Sequence, residues 1–143
     1  MKDAARPTMA FVLDVSVTIA WAFSDEHTPV AARAAHLLKS GSEVACVPDL
    51  WWYEVRNILL VGERRGRIST TGTAQFLRAI AQLQIESDSA HDDEPLLALA
   101  RQYRLSVYDA AYLALAVRRA LPLATLDTVL QSAAAAAGVA LLA

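Results

Sequence analysis

Four acidic residues stand where a folding chain gains little by placing them: Asp14, Glu54, Asp109 and Asp127. Asp14 ends the apolar run Ala10 to Leu13 and Asp127 ends Leu123 to Leu126, so each closes an expected strand. Glu54 lies on an apolar helical stripe with Leu50, Ile58 and Val61. Its neighbours three and four positions away, Leu50, Trp51, Asn57 and Ile58, include no basic partner. Asp109 opens the segment DAAYLALAVRRA, which carries no further charge until Arg118. Singly, each has an ordinary structural account: an N-cap or turn aspartate, a stripe-edge carboxylate paired with a distant arginine, or first-turn charge against a helix dipole. Together they point elsewhere. Three or four carboxylates converging at one sheet edge repel each other strongly at neutral pH, and a divalent cation is the usual remedy. All-oxygen ligation favours Mg²⁺ or Mn²⁺ over zinc. His27, His36 and His91 show neither HExxH nor His-x-His spacing, and the lone Cys46 closes no multi-cysteine zinc site, so the histidines are expected as surface or capping residues.

The elements that must position these acids follow from periodicity and caps. A strand at 10–13 leads into a helix capped by Ser16 and running to Ala22; Thr28 and Pro29 start a helix that stops at Gly41. A strand over 43–47 precedes a helix opened by Pro48 and Asp49 that ends in the basic turn GERRGR. The next helix starts at Thr70 or Thr71, followed by a strand at 84–87 and a helix whose first turn carries Asp92, Asp93 and Glu94 and which runs to Tyr103. An extended link at 105–108 leads into the helix beginning at Asp109. A strand at 123–126, an alanine-rich helix to Gly138 and a final strand at 139–142 complete the chain. Short strands alternating with helices predict an α/β fold: a central, mainly parallel sheet of four to five strands with helices on both faces. In such sheets ligands bind beyond the carboxyl ends of the strands, where Asp14 and Asp127 fall.

With 143 residues, 55% of them hydrophobic and 20% charged, the chain can bury one full core. Residues 1–8 are expected to form a flexible N-terminal tail and residues 9–143 a single domain, with Met9 a candidate natural start. The tail has no apolar core of its own, so no signal peptide is expected, and the uncharged stretch 133–143 is too short for the ~20 residues of a membrane span. A single cysteine fits a reducing cytoplasm. A net charge of −2 requires any contact with nucleic acid to come from a local patch, and Arg56, Arg64, Arg65 and Arg67 supply one, with a solvated helix end as the ordinary alternative. The run Trp51, Trp52, Tyr53 reads first as packing and second as a base-stacking surface.

The ordered set FVLDVS, PDLWWYEVRNIL, LSVYDAAYLALA and LPLATLD before the terminal GVALL resembles PIN-domain ribonucleases, and within them the VapC-type toxins of type II toxin–antitoxin systems. The resemblance spans Phe11 to Leu142. It implies that Asp14, Glu54, Asp109 and Asp127 form a catalytic metal centre for Mg²⁺ or Mn²⁺, lined by the hydroxyls of Ser16 and Thr125. Asp14 and Asp109 would be direct ligands, with Glu54 and Asp127 completing the site or orienting water. It further implies an endoribonuclease acting on RNA, a homodimer, and a VapB-type antitoxin whose C-terminal segment covers the active site. The alternative within the family is a catalytically idle PIN domain serving as an RNA- or protein-binding regulatory module. A haloacid-dehalogenase-type phosphatase is disfavoured because Ser16 stands where its second acid belongs. A response-regulator receiver is disfavoured because the chain's two lysines, Lys2 and Lys39, precede the late strands.

Overall fold

Residues 9–143 are described by a computed structural model; the expected tail, residues 1–8, lies outside them. Strand β1 (Met9–Leu13) is buried without alternation from Phe11 onward, as a strand covered on both faces must be. It is followed by α1 (Val15–Ala22), a 3-10 turn over Ser24–Glu26, α2 (Pro29–Lys39), β2 (Glu43–Pro48), α3 (Leu50–Arg64) and α4 (Thr70–Ile80). The second half comprises β3 (Ile85–Asp88), α5 (Asp93–Tyr103), α6 (Val107–Arg119), β4 (Leu123–Ala124) and α7 (Thr128–Ala136). The four strands form one parallel sheet in the order β3-β2-β1-β4. Right-handed crossovers stepping from β1 to β2 to β3 put the first four helices on one face, and the return from β3 to β4 puts α5 and α6 on the other. Helix α6 packs across β1, β2 and β4, and its Tyr112, Leu113 and Leu115 join Phe11, Leu13 and Leu123 in the fully buried core.

The expected α/β fold with a parallel sheet is the observed one, with three local corrections. Helix α1 is capped by Asp14 rather than Ser16: the Asp14 carboxylate accepts from the Ser16 amide, placing the acid one step closer to the strand end. The expected extended link at 105–108 is shortened, because Ser106 Oγ accepts the Asp109 amide at 3.0 Å and starts α6 at Val107. Asp109 therefore sits within the first turn instead of opening it. The expected final strand is reduced to a bridge between Leu123 and Leu141. Its neighbour β4 is two residues long, because beyond Ala124 the chain turns to side-chain bonds at Thr125 and Asp127. Among the described residues no helix is long and apolar enough to cross a membrane.

Helix α3 is held close to the chain that follows α1 at Gly62, where a Cβ would stand 2.9 Å from Phe23 Cζ and 3.3 Å from Ile68 Cγ2. The Phe23 ring cannot easily yield, since the Arg67 guanidinium lies 4.1 Å above it. Helix propensity alone makes Gly62→Ala favourable by about 1 kcal/mol, whereas overpacking of this kind costs about 1–3 kcal/mol. The expected outcome is a net loss of stability in urea denaturation; a variant more stable than wild type would show that this contact yields.

Candidate active site

Strands β1 and β4 are neighbours, but the chain leaves them for opposite parts of the fold, which makes their carboxyl ends the topological switch point of the sheet. The pairing of Leu13 with Ala124 continues in the Asp14 amide, which donates to the Ala124 carbonyl at 3.0 Å and so sets Asp14 beside Thr125. Asp14 is 4% exposed. Its Oδ2 accepts from Thr125 Oγ1 at 2.8 Å and from Ser16 Oγ at 2.5 Å. Each hydroxyl in turn accepts a backbone N–H, Leu126 to Ser16 at 2.9 Å and Asp127 to Thr125 at 3.1 Å. The hydroxyl protons are thereby committed to the carboxylate. Burial nevertheless pushes the Asp14 carboxyl above the usual carboxylate range, outweighing those hydrogen bonds.

Glu54 and Asp109 reach the same neighbourhood from opposite layers. Half-buried on α3, Glu54 is raised first by burial and then by the charges of Asp14 and Asp109, against a hydrogen bond from Tyr112 Oη to Glu54 Oε1 of 2.5 Å. Asp109, in the first turn of α6, is raised by burial and by the charges of Asp127 and Asp14, against the Ser106 bond. Asp127 caps α7, with Oδ1 accepting from Val129 N at 2.9 Å, so its ordinary capping role holds while its charge acts on Asp109. The four acids thus share one electrostatic neighbourhood. Among the described residues none of them takes part in an ion pair: Arg67 pairs with Asp25 and Glu26, Arg118 and Arg119 with Asp88, and His91 with Asp49.

The donor set fits a hard divalent cation in type and charge: carboxylate oxygens, mutually repelling, with no ion-paired counter-charge among the described residues. Among the described residues no group of three or more such side chains stands ready to cage an ion.

The remaining sequence-level candidates separate. Trp51 is buried and its indole N–H donates to Thr18 Oγ1 at 2.9 Å, so it packs; Trp52 and Tyr53 are exposed, with ring centroids 5.1 Å apart. Arg56 stacks over Trp52 at 4.0 Å, and Arg67 is held by Asp25 and Glu26. Arg64 and Arg65 are exposed at the far end of α3, ten residues beyond Glu54 or about 15 Å along the helix axis. The three histidines are exposed. Sequence reasoning passed over Tyr112, which reads as a core position; its spacing of one helical turn from Asp109 was the available signal.

Over residues 11–136 the chain matches the PIN domain family, and it belongs to that family. Among solved structures it is similar to PAE2754 from Pyrobaculum aerophilum, with a TM-score of 0.68 and 21% identity, covering 92% of this chain and 87% of that one. It is also similar to a chain of a toxin–antitoxin complex from Klebsiella pneumoniae, with a TM-score of 0.56 and 21% identity, covering 82% and 87% respectively. At such identity the likeness is one of fold. No curated protein matches the chain.

Three carboxyls raised in the folded state keep protons that the unfolded chain has already released. The stability they contribute is present when they are protonated and is lost as pH rises through their folded pKa values. In EDTA the protein is therefore expected to gain stability as pH falls from 7 toward the ordinary carboxylate pKa of about 4. Asp88 works in the opposite sense: partial burial raises it, but the Ala90 amide and the Arg118 and Arg119 charges outweigh this and hold it low, so its loss falls below that window. Asp109→Asn should flatten the dependence and melt no lower than wild type in EDTA. Urea midpoints at pH 5 and pH 7 check both, and a lower wild-type midpoint at pH 5 contradicts the crowding of charge.

Proposed function

We propose that this chain is a metal-dependent endoribonuclease, the VapC-type toxin of a type II toxin–antitoxin system. The observation that carries the reading is the buried Asp14 at the switch point, fixed by two hydroxyls and facing the charges of Glu54 and Asp109, with no ion pair to any of the three among the described residues. Membership of the PIN family and likeness in fold to a chain of a toxin–antitoxin complex support it.

In this reading Asp14 and Asp109 hold Mg²⁺ or Mn²⁺, while Glu54 and Asp127 complete the site or orient water. The ion, when bound, supplies a lowered pKa for water and neutralises charge on the scissile phosphate. Ser16 and Thr125 keep the Asp14 carboxylate in one orientation, and their committed protons leave neither as a nucleophile. Arg64 and Arg65 offer phosphate contacts away from the acids. The partners proposed are an RNA substrate, a VapB-type antitoxin whose C-terminal segment covers the site, and a second copy of the chain. A homodimer has an apolar surface to bury, since Tyr53, Tyr108, Val107 and Val117 are exposed along one groove of about 900 Å³.

RNA cleavage is expected to stop in EDTA and return with Mg²⁺ or Mn²⁺. Asp14→Asn and Asp109→Asn should each lose roughly a hundredfold or more of the rate while retaining wild-type circular dichroism. Mg²⁺ should raise the melting temperature of wild type and that of Asp109→Asn much less. RNA binding without cleavage, and without any metal shift in melting, would instead establish the idle binding module. Light scattering should give twice the 15.4 kDa chain mass, falling to the monomer value in Val117→Glu.

A further inference from the structure

Tyr112 is 1% exposed, and a phenol buried to that degree needs an acceptor for its proton. The acceptor is Glu54 Oε1 at 2.5 Å, on a different helix and in the opposite layer of the fold. One turn before Tyr112 on the same face of α6 stands Asp109. A single side chain therefore ties the helix that carries one acid to the carboxylate of a second.

Glu54 needs such a tie. It has three rotatable side-chain bonds, is half-buried, has no basic partner within one turn, and is repelled by both Asp14 and Asp109. Repulsion and hydration both favour swinging the carboxylate outward. We infer that Tyr112 is the positioning residue for Glu54: its hydroxyl occupies Oε1, restrains the side chain against that repulsion, and leaves Oε2 as the oxygen that meets a divalent cation or the water it holds. The inference rests on the metal-centre reading above. Phe at 112 keeps the ring, and with it the core volume, and removes only the donor.

The test is Mn²⁺ binding by isothermal titration calorimetry to wild type, Tyr112→Phe, Glu54→Gln and the double variant, with Ser42→Ala, which removes an exposed hydroxyl just before β2 at the opposite end of the sheet, as a control. Hydrogen bonds to charged groups are strong enough that Tyr112→Phe should weaken Mn²⁺ binding about tenfold, while Ser42→Ala leaves it unchanged. Because Tyr112 acts through Glu54, the double variant should bind no worse than Glu54→Gln alone. In RNA cleavage the loss should appear in kcat with KM retained. Full Mn²⁺ affinity in Tyr112→Phe, or losses that add in the double variant, overturns the positioning role and leaves the metal centre standing. Absence of Mn²⁺ binding by wild type overturns the metal centre and this inference with it. A measurement independent of any variant is the tyrosine Cζ carbon resonance of the native protein: Mg²⁺ should shift the signal of the buried tyrosine, and an unmoved signal counts against the role.

Discussion

Everything at the switch point follows from the difficulty of keeping Asp14 charged where it is. A carboxylate with 4% exposure at the mouth of a parallel sheet has lost nearly all its water, and the ordinary compensation would be an arginine. The fold supplies hydroxyls instead. Two of them, from α1 and from the segment after β4, converge on a single oxygen, and each is fixed in turn by a backbone amide of the segment after β4, Leu126 to Ser16 and Asp127 to Thr125. Neutral donors orient the carboxylate without cancelling its charge, so the negative potential survives into the neighbourhood that Glu54, Asp109 and Asp127 share.

The topology is what makes that network possible. Ser16 and Thr125 are separated by 109 positions, yet their oxygens lie 3.4 Å apart. The β1–β4 register brings them together, and the shortness of β4 frees Thr125 and Asp127 from the ladder so that their side chains can serve the site. Helix α6 has a double duty. Its Leu113 and Leu115 fill the core, while the turn carrying Asp109 and Tyr112 faces the acids.

The strands and helices were legible in the sequence wherever hydrophobic period and cap chemistry agreed, as at Thr28–Pro29 and at β1, whose burial its uninterrupted apolar run announces. Boundaries were missed where a side chain had two competing roles. Ser16 looks like an N-cap, but its hydroxyl is more strongly engaged by Asp14 across the turn, so the cap moves back to the aspartate; Ser106 captures the Asp109 amide and starts a helix where propensity alone read an extended link. The acids themselves stood out because each lacked a local partner. Tyr112 did not, because its function depends on a contact with Glu54 across 58 positions, and no local pattern encodes that. The arginine patch was visible as composition only. That Arg67 folds back onto Asp25 and Glu26 is a property of the tertiary structure.

The same sheet contains its own comparison. Asp88 also closes a parallel strand, the neighbour of β2, and it is a carboxylate of the same kind as Asp14. At Asp88 the fold brings up Arg118 at 2.6 Å and Arg119 at 3.7 Å, and the carboxyl is held below its ordinary range despite partial burial. At Asp14, deeper still, the ion pairs among the described residues all lie elsewhere, and the carboxyl is pushed the other way. Among the described residues, arginines pair with the carboxylate at one strand end and not at the other. Asp88 is paired with two arginines, whereas Asp14 is given hydroxyl donors that orient it and takes part in no ion pair among the described residues. The opposite pKa directions of two strand-end aspartates in one sheet are the physical trace of that division.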